Sequence, residues 1–456
     1  MRNLKFLTFS AVVAAIYVVA PVHAAEPLPE ATKRILSEMK LDASLMKGLD
    51  KELAIPKAWI SGARKEKVLR VIGTWDFEQH AGYLAAFKER YPFLTIKYVR
   101  QSRFGRTVKP LIALKEGRLL TDVISGLGSA IFAYRKANAL LDLRALPGFA
   151  HLPKDAKDVN EGLWVGHQFS YWCTAYNTNL VKPSDLPKTW DDLVKNRRWH
   201  GGVIGLGNRP NLWFLQLWGA KGEKWGRRYL DDYFGKVKPQ LRKEGMNALI
   251  SLVIAGEFDL SMPSAEYRVS QMVAKGAPVK FHCPEPVPTT VQSVAVLAKT
   301  PSPNAAKLYV NWMLSREGQL AQYRAVKAAP VHPAFQRREF LSFPDQIIGK
   351  TTAFRTPKLL VEEWPRLLKL WRSRWFGSSG QKISTVTTKL IKPKRGGRRL
   401  TFKVAGEIHT VKVSGSRTTV TINGKQSSRS QLKAGMSCTF VYPGNKSEAL
   451  EVDCKK

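Results

Sequence analysis

The stretch from Val68 to Arg100, VLRVIGTWDFEQHAGYLAAFKERYPFLTIKYVR, constrains this chain more than any other. Val68 to Ile72 is a β-rich run. A polar turn follows, then an amphipathic helix, then a second alternating strand from Leu94 to Val99. That is a β-α-β unit, whose two strands normally lie parallel in one sheet. In such sheets ligands collect beyond the carboxyl ends of the strands, where helix N-termini offer unpaired N–H groups. Here that place is Gly73-Thr74-Trp75-Asp76, so Thr74, Trp75 and Asp76 are the first candidate ligand contacts.

The pattern recurs. Thr121 to Ile124 is a short buried-type strand that ends in Ser125-Gly126-Leu127-Gly128-Ser129-Ala130 before another helix. Ser125 and Ser129 are candidates because small residues at a strand-to-helix turn leave room for a ligand, and backbone N–H groups there can cradle an oxyanion. The two glycines alone are weak evidence, since a full dinucleotide fingerprint is missing. Val203 to Leu206 is strand-like and stops at Gly207-Asn208-Arg209-Pro210, where Arg209 is placed to clamp an anion. Between these lie a strand from Trp164 through Cys173, a helix opening near Thr189, and helices around 224–233 and 245–255. Asp259 to Met262 reads as a strand, with Glu266, Tyr267 and Arg268 opening the next helix. Strands at 278–282 and 289–297, helices at 304–316 and 317–326, and a long helix at 358–375 complete this part.

The N-terminus has Arg2 and Lys5, an apolar run from about Phe6 to Ala20, and Val22-His23-Ala24 before Ala25. A run of roughly 14 apolar residues falls short of the ~20 that span a bilayer. It reads as a cleavable secretory signal over residues 1–24, which predicts an exported, periplasmic protein. No Cys follows the run, which argues against a lipid anchor. Residues 25–65 form a helical lead-in with a breaker near Pro56. Four Cys in 456 residues are no disulfide scaffold, though export permits bridges. A Cys438–Cys454 bridge is expected. Cys173 and Cys283 are either bridged or two buried thiols.

The formal charge is +37. Such a balance points to nucleic acid, anionic membrane or acidic ligands. The basic residues are nevertheless scattered, and export removes the chain from cytoplasmic nucleic acid, so no nucleic-acid partner is expected. Beyond 377 the composition shifts. Residues 377–398 read as a basic linker and 399–456 as a small all-β module. From 381 onward sixteen Lys and Arg stand against four Asp and Glu, which makes this module a candidate for polyanion or envelope contact. With only Phe402, Phe440 and Tyr442 as rings, base stacking is not supported. A modular tail of this kind predicts that removing residues 378–456 leaves small-ligand affinity unchanged.

The order of segments resembles the periplasmic solute-binding proteins of ABC importers (extracellular solute-binding family 1), in particular the group typified by ferric-ion-binding proteins. The resemblance is carried by VIGTWD with its helix ending KERYPFLTIKYVR; TDVISGLGSA; GLWVGHQFSYWCTAYNTNLVKPSDLPKTWDDLV; IAGEFDLSMPSAEYRVSQMVAKGAPVKFHCPEP; and SVAVLAKTPSPNAAKLYVNWMLSREGQ. It covers about residues 66–330. It implies an α/β, two-lobed type II fold, with lobe one over 66–170 and 285–376 and lobe two over 171–284. Strand crossovers would lie near Tyr171–Tyr176 and Cys283–Val291. The protein would work as a monomer that closes on a small ligand and docks on a membrane permease.

In iron-binding members of that group, tyrosinates hold Fe(III) as hard oxygen donors. Where an adjacent tyrosine pair would stand, this chain has Glu266-Tyr267. Tyr171, Tyr267, Asp76 and Glu266 form the candidate metal set, with His80 as a further donor in the first turn. The alternative is an anionic or zwitterionic solute held by the Ser125–Ala130 turn and Arg209, with Trp75 and Trp172 as apolar walls. No nucleophile elbow, HExxH, P-loop or complete dinucleotide motif is present. A binding protein rather than an enzyme is therefore expected, with no required cofactor and Fe(III) at most as transported ligand.

Overall fold

The computed structural model describes residues 27–455 except 357, 381 and 415–417. The proposed signal over residues 1–24 lies outside the described residues. The first ten strands are β1 (Val68–Gly73), β2 (Thr95–Arg100), β3 (Val123–Ser125), β4 (Val165–Asn177), β5 (Ile204–Gly207), β6 (Gln240–Arg242), β7 (Leu260–Ala265), β8 (Val279–His282), β9 (Val287–Val296) and β10 (Thr352–Phe354). They form one sheet of order β2-β1-β3-β9-β4-β7-β5-β6, with β10 on β9 and β8 on β4.

β1 and β2 are parallel in register from Val68↔Thr95 to Gly73↔Arg100, as the β-α-β reading requires. β4 is the spine of the molecule, with all thirteen residues buried. Its first half is antiparallel to β9 as far as Tyr171↔Thr289. From Trp172 onward it pairs with β7, and from Thr174 also with β8. One strand therefore serves both lobes. A strand buried on both faces reads as a near-continuous apolar and aromatic run, which WVGHQFSYWCTAYNT does. Cys173 of β4 is bridged to Cys283, and Cys438 to Cys454.

The lead-in wraps lobe one. The backbone N–H of Ala31 donates to Glu89 Oε2 at 3.1 Å and the Thr32 hydroxyl to Glu317 Oε1 at 2.9 Å. The Glu66 carboxylate accepts from the N–H groups of Asn304 (3.2 Å) and Ala305 (2.7 Å). Those are orphan donors at the start of the helix Pro303–Leu314, where a negative charge is favourable.

Two boundaries differ from the sequence reading. The long helix, Trp364–Ser378 in the structure, was expected in lobe one but is rooted in lobe two. Trp371 is fully buried there against Trp213, Phe214 and Phe234, at ring separations of 6.2, 6.1 and 5.4 Å. Its Nε1 donates to Asn208 Oδ1 at 2.8 Å, and Arg374 pairs with Asp231 at 2.6 Å. The chain thus crosses to lobe two once more after β10. Aromatic density along a helix does not say which of two apolar surfaces it meets, so this was invisible in the sequence.

The basic linker is largely a strand. β11 (Ser384–Lys394) opens a seven-stranded module completed by β12 (Arg399–Val404), β13 (Glu407–Lys412), β14 (Thr419–Ile422), β15 (Lys425–Gln426), β16 (Ser437–Tyr442) and β17 (Glu451–Lys455). The order is β13-β12-β11-β16-β17-β14-β15. β11 pairs with β16 through its front half and with β12 through its rear half, with a register shift between Leu390 and Lys392. Leu390 is the only β11 side chain fully inside, so its alternation carries almost no apolar signal. The module has its own core of Leu390, Leu400, Phe402, Phe440 and Val452, in which the Phe402 and Phe440 rings stack at 3.8 Å.

Candidate functional site

The carboxyl end of β1 is shaped by one glycine. A Cβ on Gly73 would sit 2.7 Å from the Tyr98 ring. Its absence lets Tyr98 lie over the turn and donate its hydroxyl to the Trp75 carbonyl at 2.9 Å. Asp76 then stands at the N-cap of the helix Phe77–Tyr83, with its backbone N–H donating to Gln79 Oε1 at 3.1 Å. The Asp76 carboxylate meets a guanidinium from each lobe. Arg100 Nη1 lies at 2.5 Å and Arg268 Nη1, from lobe two, at 4.0 Å. Arg268 in turn lies 5.1 Å over the Tyr267 ring. Beside them Gln292 Nε2 donates to the Thr74 hydroxyl at 3.1 Å.

Tyr171 and Glu266 lie next to this centre, both buried. Glu266 Oε2 accepts from the Tyr171 backbone N–H at 3.0 Å, while Oε1 has no partner among the described residues. Burial pushes the Glu266 carboxyl up to about 8, because a carboxylate away from water loses its hydration. Burial, and then the nearby Glu266, push the Tyr171 phenol well above its usual value. Tyr267 is raised chiefly by burial, partly offset by Arg268. At neutral pH this arrangement favours protonated phenols and a largely neutral Glu266.

Several expected contacts point elsewhere. Trp75 faces the lobe-one core, with its ring 5.0 Å from Tyr83 and 5.4 Å from His167. His80 is buried, stacked on Tyr98 at 3.6 Å and bonded to the Tyr309 hydroxyl at 3.2 Å. Burial, then Lys88, bring its imidazole down to about 3, so it is a neutral core residue. The Ser125 hydroxyl bonds His167 Nε2 at 3.0 Å, and the Gly126 amide is engaged by the Ser293 carbonyl at 2.6 Å. The Ser125–Ala130 turn is thus a poorer anion cradle than its composition suggests. Trp172 donates from Nε1 to Thr290 Oγ1 at 2.7 Å and packs in the core.

Ser129 and Arg209 lie together in a groove of about 1340 Å3 that both lobes and the C-terminal module line. Arg100 and Arg268 were missed in the sequence reading. Both lie within quoted segments, and Arg268 directly follows Tyr267, but it is the β1–β2 register that brings Arg100 onto Asp76 and the meeting of the two lobes that brings Arg268. Among the described residues no three His, Cys, Asp or Glu gather as metal ligands.

Two α/β lobes sharing a spine strand, with charged side chains from both meeting at its crossover, define a hinged binding protein. The sequence profile of the bacterial extracellular solute-binding proteins matches residues 78–320, more than half of the chain, and the chain belongs to that family. No curated protein matches it in sequence. Its fold is similar to that of iron-bound HitA from Pseudomonas aeruginosa (20% identity, TM-score 0.55, covering 67% of this chain and 99% of that one). The IdiA (FutA) protein of Trichodesmium with iron and citrate is similar too (17%, TM-score 0.55, 67% and 99%), as is the ferric binding protein of Campylobacter jejuni (16%, TM-score 0.54, 67% and 99%). Among the described residues no helix is long and apolar enough to cross a membrane.

Proposed function

We propose that the protein is the periplasmic binding component of an ABC importer, capturing a small anion between its lobes and delivering it to a membrane permease. The observation that carries this is the pair of guanidiniums, Arg100 from lobe one and Arg268 from lobe two, converging on the single carboxylate of Asp76. Two cations against one anion leave net positive charge at the hinge. A ligand carboxylate or phosphonate can take over Arg268 from Asp76, and charge-assisted bonds of this kind are among the stronger ones available.

A second reading, Fe(III) as the carried ion, is favoured by a different observation. The orphan Oε1 of buried Glu266 stands beside Tyr171 and Tyr267, a set of hard oxygen donors, and proteins of similar fold include an iron-bound one and a ferric binding protein. Against it, Arg268 stands where iron would need a neutral or anionic neighbour.

The test is thermal unfolding of residues 25–456 with citrate, dicarboxylates, phosphate, phosphonates, polyamines, thiamine and Fe(III)-citrate. A ligand at ~100 times its dissociation constant adds about 2.7 kcal/mol, or roughly 5–10 °C for domains of this size. The anion reading expects a shift with an organic anion or phosphonate that Arg268→Gln abolishes and Tyr267→Phe leaves in place. A shift only with iron, lost in Tyr267→Phe, would replace it.

A further inference from the structure

The groove beside the hinge has three walls. Lobe one contributes Lys109, Lys115 and Lys136; lobe two contributes Arg209 and Lys243; the C-terminal module contributes Arg395, Arg398 and Arg429. In all, eleven Lys and Arg against three Glu line it, so the groove has a strong excess of positive charge. All three glutamates are engaged: Glu116 with Arg118, Glu244 with Arg242, and Glu448 in an interaction of its own. Lys109, Lys115, Lys136, Arg395 and Arg398 have no carboxylate partner among the described residues.

At its module end the groove shares Arg395, Arg398 and Arg429 with a smaller pocket of about 270 Å3 that also takes in Arg399 and Lys412. This crowding is built into the backbone. Gly397 has φ +76°, and a Cβ there would fall 2.0 Å from the Arg429 carbonyl oxygen. Only glycine lets the turn between β11 and β12 lie on the loop that carries Arg429. Arg429 donates from Nη1 to the Val413 carbonyl at 2.8 Å. Burial, then Arg398, hold its guanidinium below the usual value, as expected where a like charge stands close by.

We propose that this groove is a second binding site, one for a small multivalent oxyanion with three or more phosphate-type charges, which bridges lobe one to the C-terminal module. A single charge would neutralise one wall and leave the others repelling, whereas a multivalent ligand satisfies both at once. The module is carried by a helix rooted in lobe two. A ligand held between the module and Lys109, Lys115 and Lys136 therefore also holds the lobes together. Phe402, Phe440 and Tyr442 are all buried in the module's own core, so the module offers none of these rings for base stacking.

The site is independent of the anion reading at Asp76, and the experiment separates them. Tripolyphosphate, orthophosphate and phosphatidylglycerol vesicles are titrated calorimetrically into the full chain from Ala25, at low and at physiological salt. The unaltered chain should bind tripolyphosphate at least ten-fold more tightly than orthophosphate, with affinity falling as salt rises. Both Arg395→Gln/Arg398→Gln/Arg429→Gln and Lys109→Gln/Lys115→Gln/Lys136→Gln should weaken tripolyphosphate by ten-fold or more. Cooperative thermal unfolding like that of the unaltered chain should survive in both triple variants, which reports that they are folded. Unchanged tripolyphosphate binding in either triple variant, loss only in Arg268→Gln, or binding of vesicles without tripolyphosphate would each overturn the proposal.

Discussion

At the hinge, Asp76 takes two guanidiniums, one at 2.5 Å and one at 4.0 Å; in the groove next to it, Arg395 and Arg398 take no carboxylate among the described residues. The two regions are built differently as well. The hinge is assembled from long-range pairings, β1 with β2 and β4 with β7, β8 and β9, so Arg268 meets Asp76 only when both lobes are in place. The groove's third wall comes from a sheet made mainly of neighbouring strands, with its own core. A centre with a single excess positive charge suits selection among small ligands, where one misplaced charge is costly. An unbalanced groove suits an external counter-charge, because charge that the fold does not neutralise internally is left for solvent or a partner.

The largest effect should come from cutting the root that joins the two regions. Trp371 is fully buried and anchors the helix that carries the module. Trp371→Ala should cost about 3–5 kcal/mol, as large-to-small core changes of this kind do. Denaturant unfolding should show the loss, and hydrogen exchange should show it concentrated in lobe two and residues 364–378. A cost below about 1 kcal/mol would mean that the helix is not rooted in lobe two.

Much of the fold was legible because its cues are local. The β-α-β unit, the buried run of β4 and the short strands of the module each declare themselves within about three dozen residues or fewer, by period and by turn chemistry. The site was less so. Ser129 and Arg209 were singled out by the rule that ligands gather beyond strand ends, and both line the groove. Trp75, Trp172, Ser125 and His80 obeyed the same local signals yet face inward, because side-chain direction at a turn depends on what packs behind it. Arg268 was passed over for a different reason. Its partner Asp76 is on the other lobe, nearly two hundred residues away, and no spacing rule reaches that far. The helix Trp364–Ser378 was placed on the wrong lobe for the same physical cause.

The next effect concerns the hinge alone and depends on pH. Burial raises the Glu266 carboxyl to about 8 in the folded chain, against an ordinary value near 4.3 in the unfolded one. The folded state therefore holds its proton where the unfolded state has released it. The stability this contributes is complete below about pH 4 and is lost progressively as pH rises to about 8. Glu266→Gln keeps an oxygen for the Tyr171 N–H and cannot ionise. It should match the parent near pH 4.5 and exceed it by a few kcal/mol above pH 8, read as a growing difference in unfolding temperature. A difference that stays constant from pH 4.5 to 9 would place the carboxyl in a wetter setting than its burial implies.

The smallest effect tests the groove without touching a charge. Gly397→Ala forces a side chain into a left-handed conformation and against the Arg429 carbonyl oxygen, 2.0 Å from the new Cβ. A left-handed alanine alone costs about 1–2 kcal/mol, and relief of the contact requires the turn between β11 and β12 to lift away. Since the module has its own core, the damage should stay there. Hydrogen exchange should rise in residues 384–455 and remain unchanged in β1 to β10. If the groove is a bridge between the module and lobe one, the same variant should also weaken tripolyphosphate, because Arg395 and Arg398 move with the lifted turn while every lysine of lobe one stays in place. Intact tripolyphosphate affinity in a variant whose turn has measurably loosened would leave the arginine crowding as a local feature of the module, with no part in joining it to the lobes.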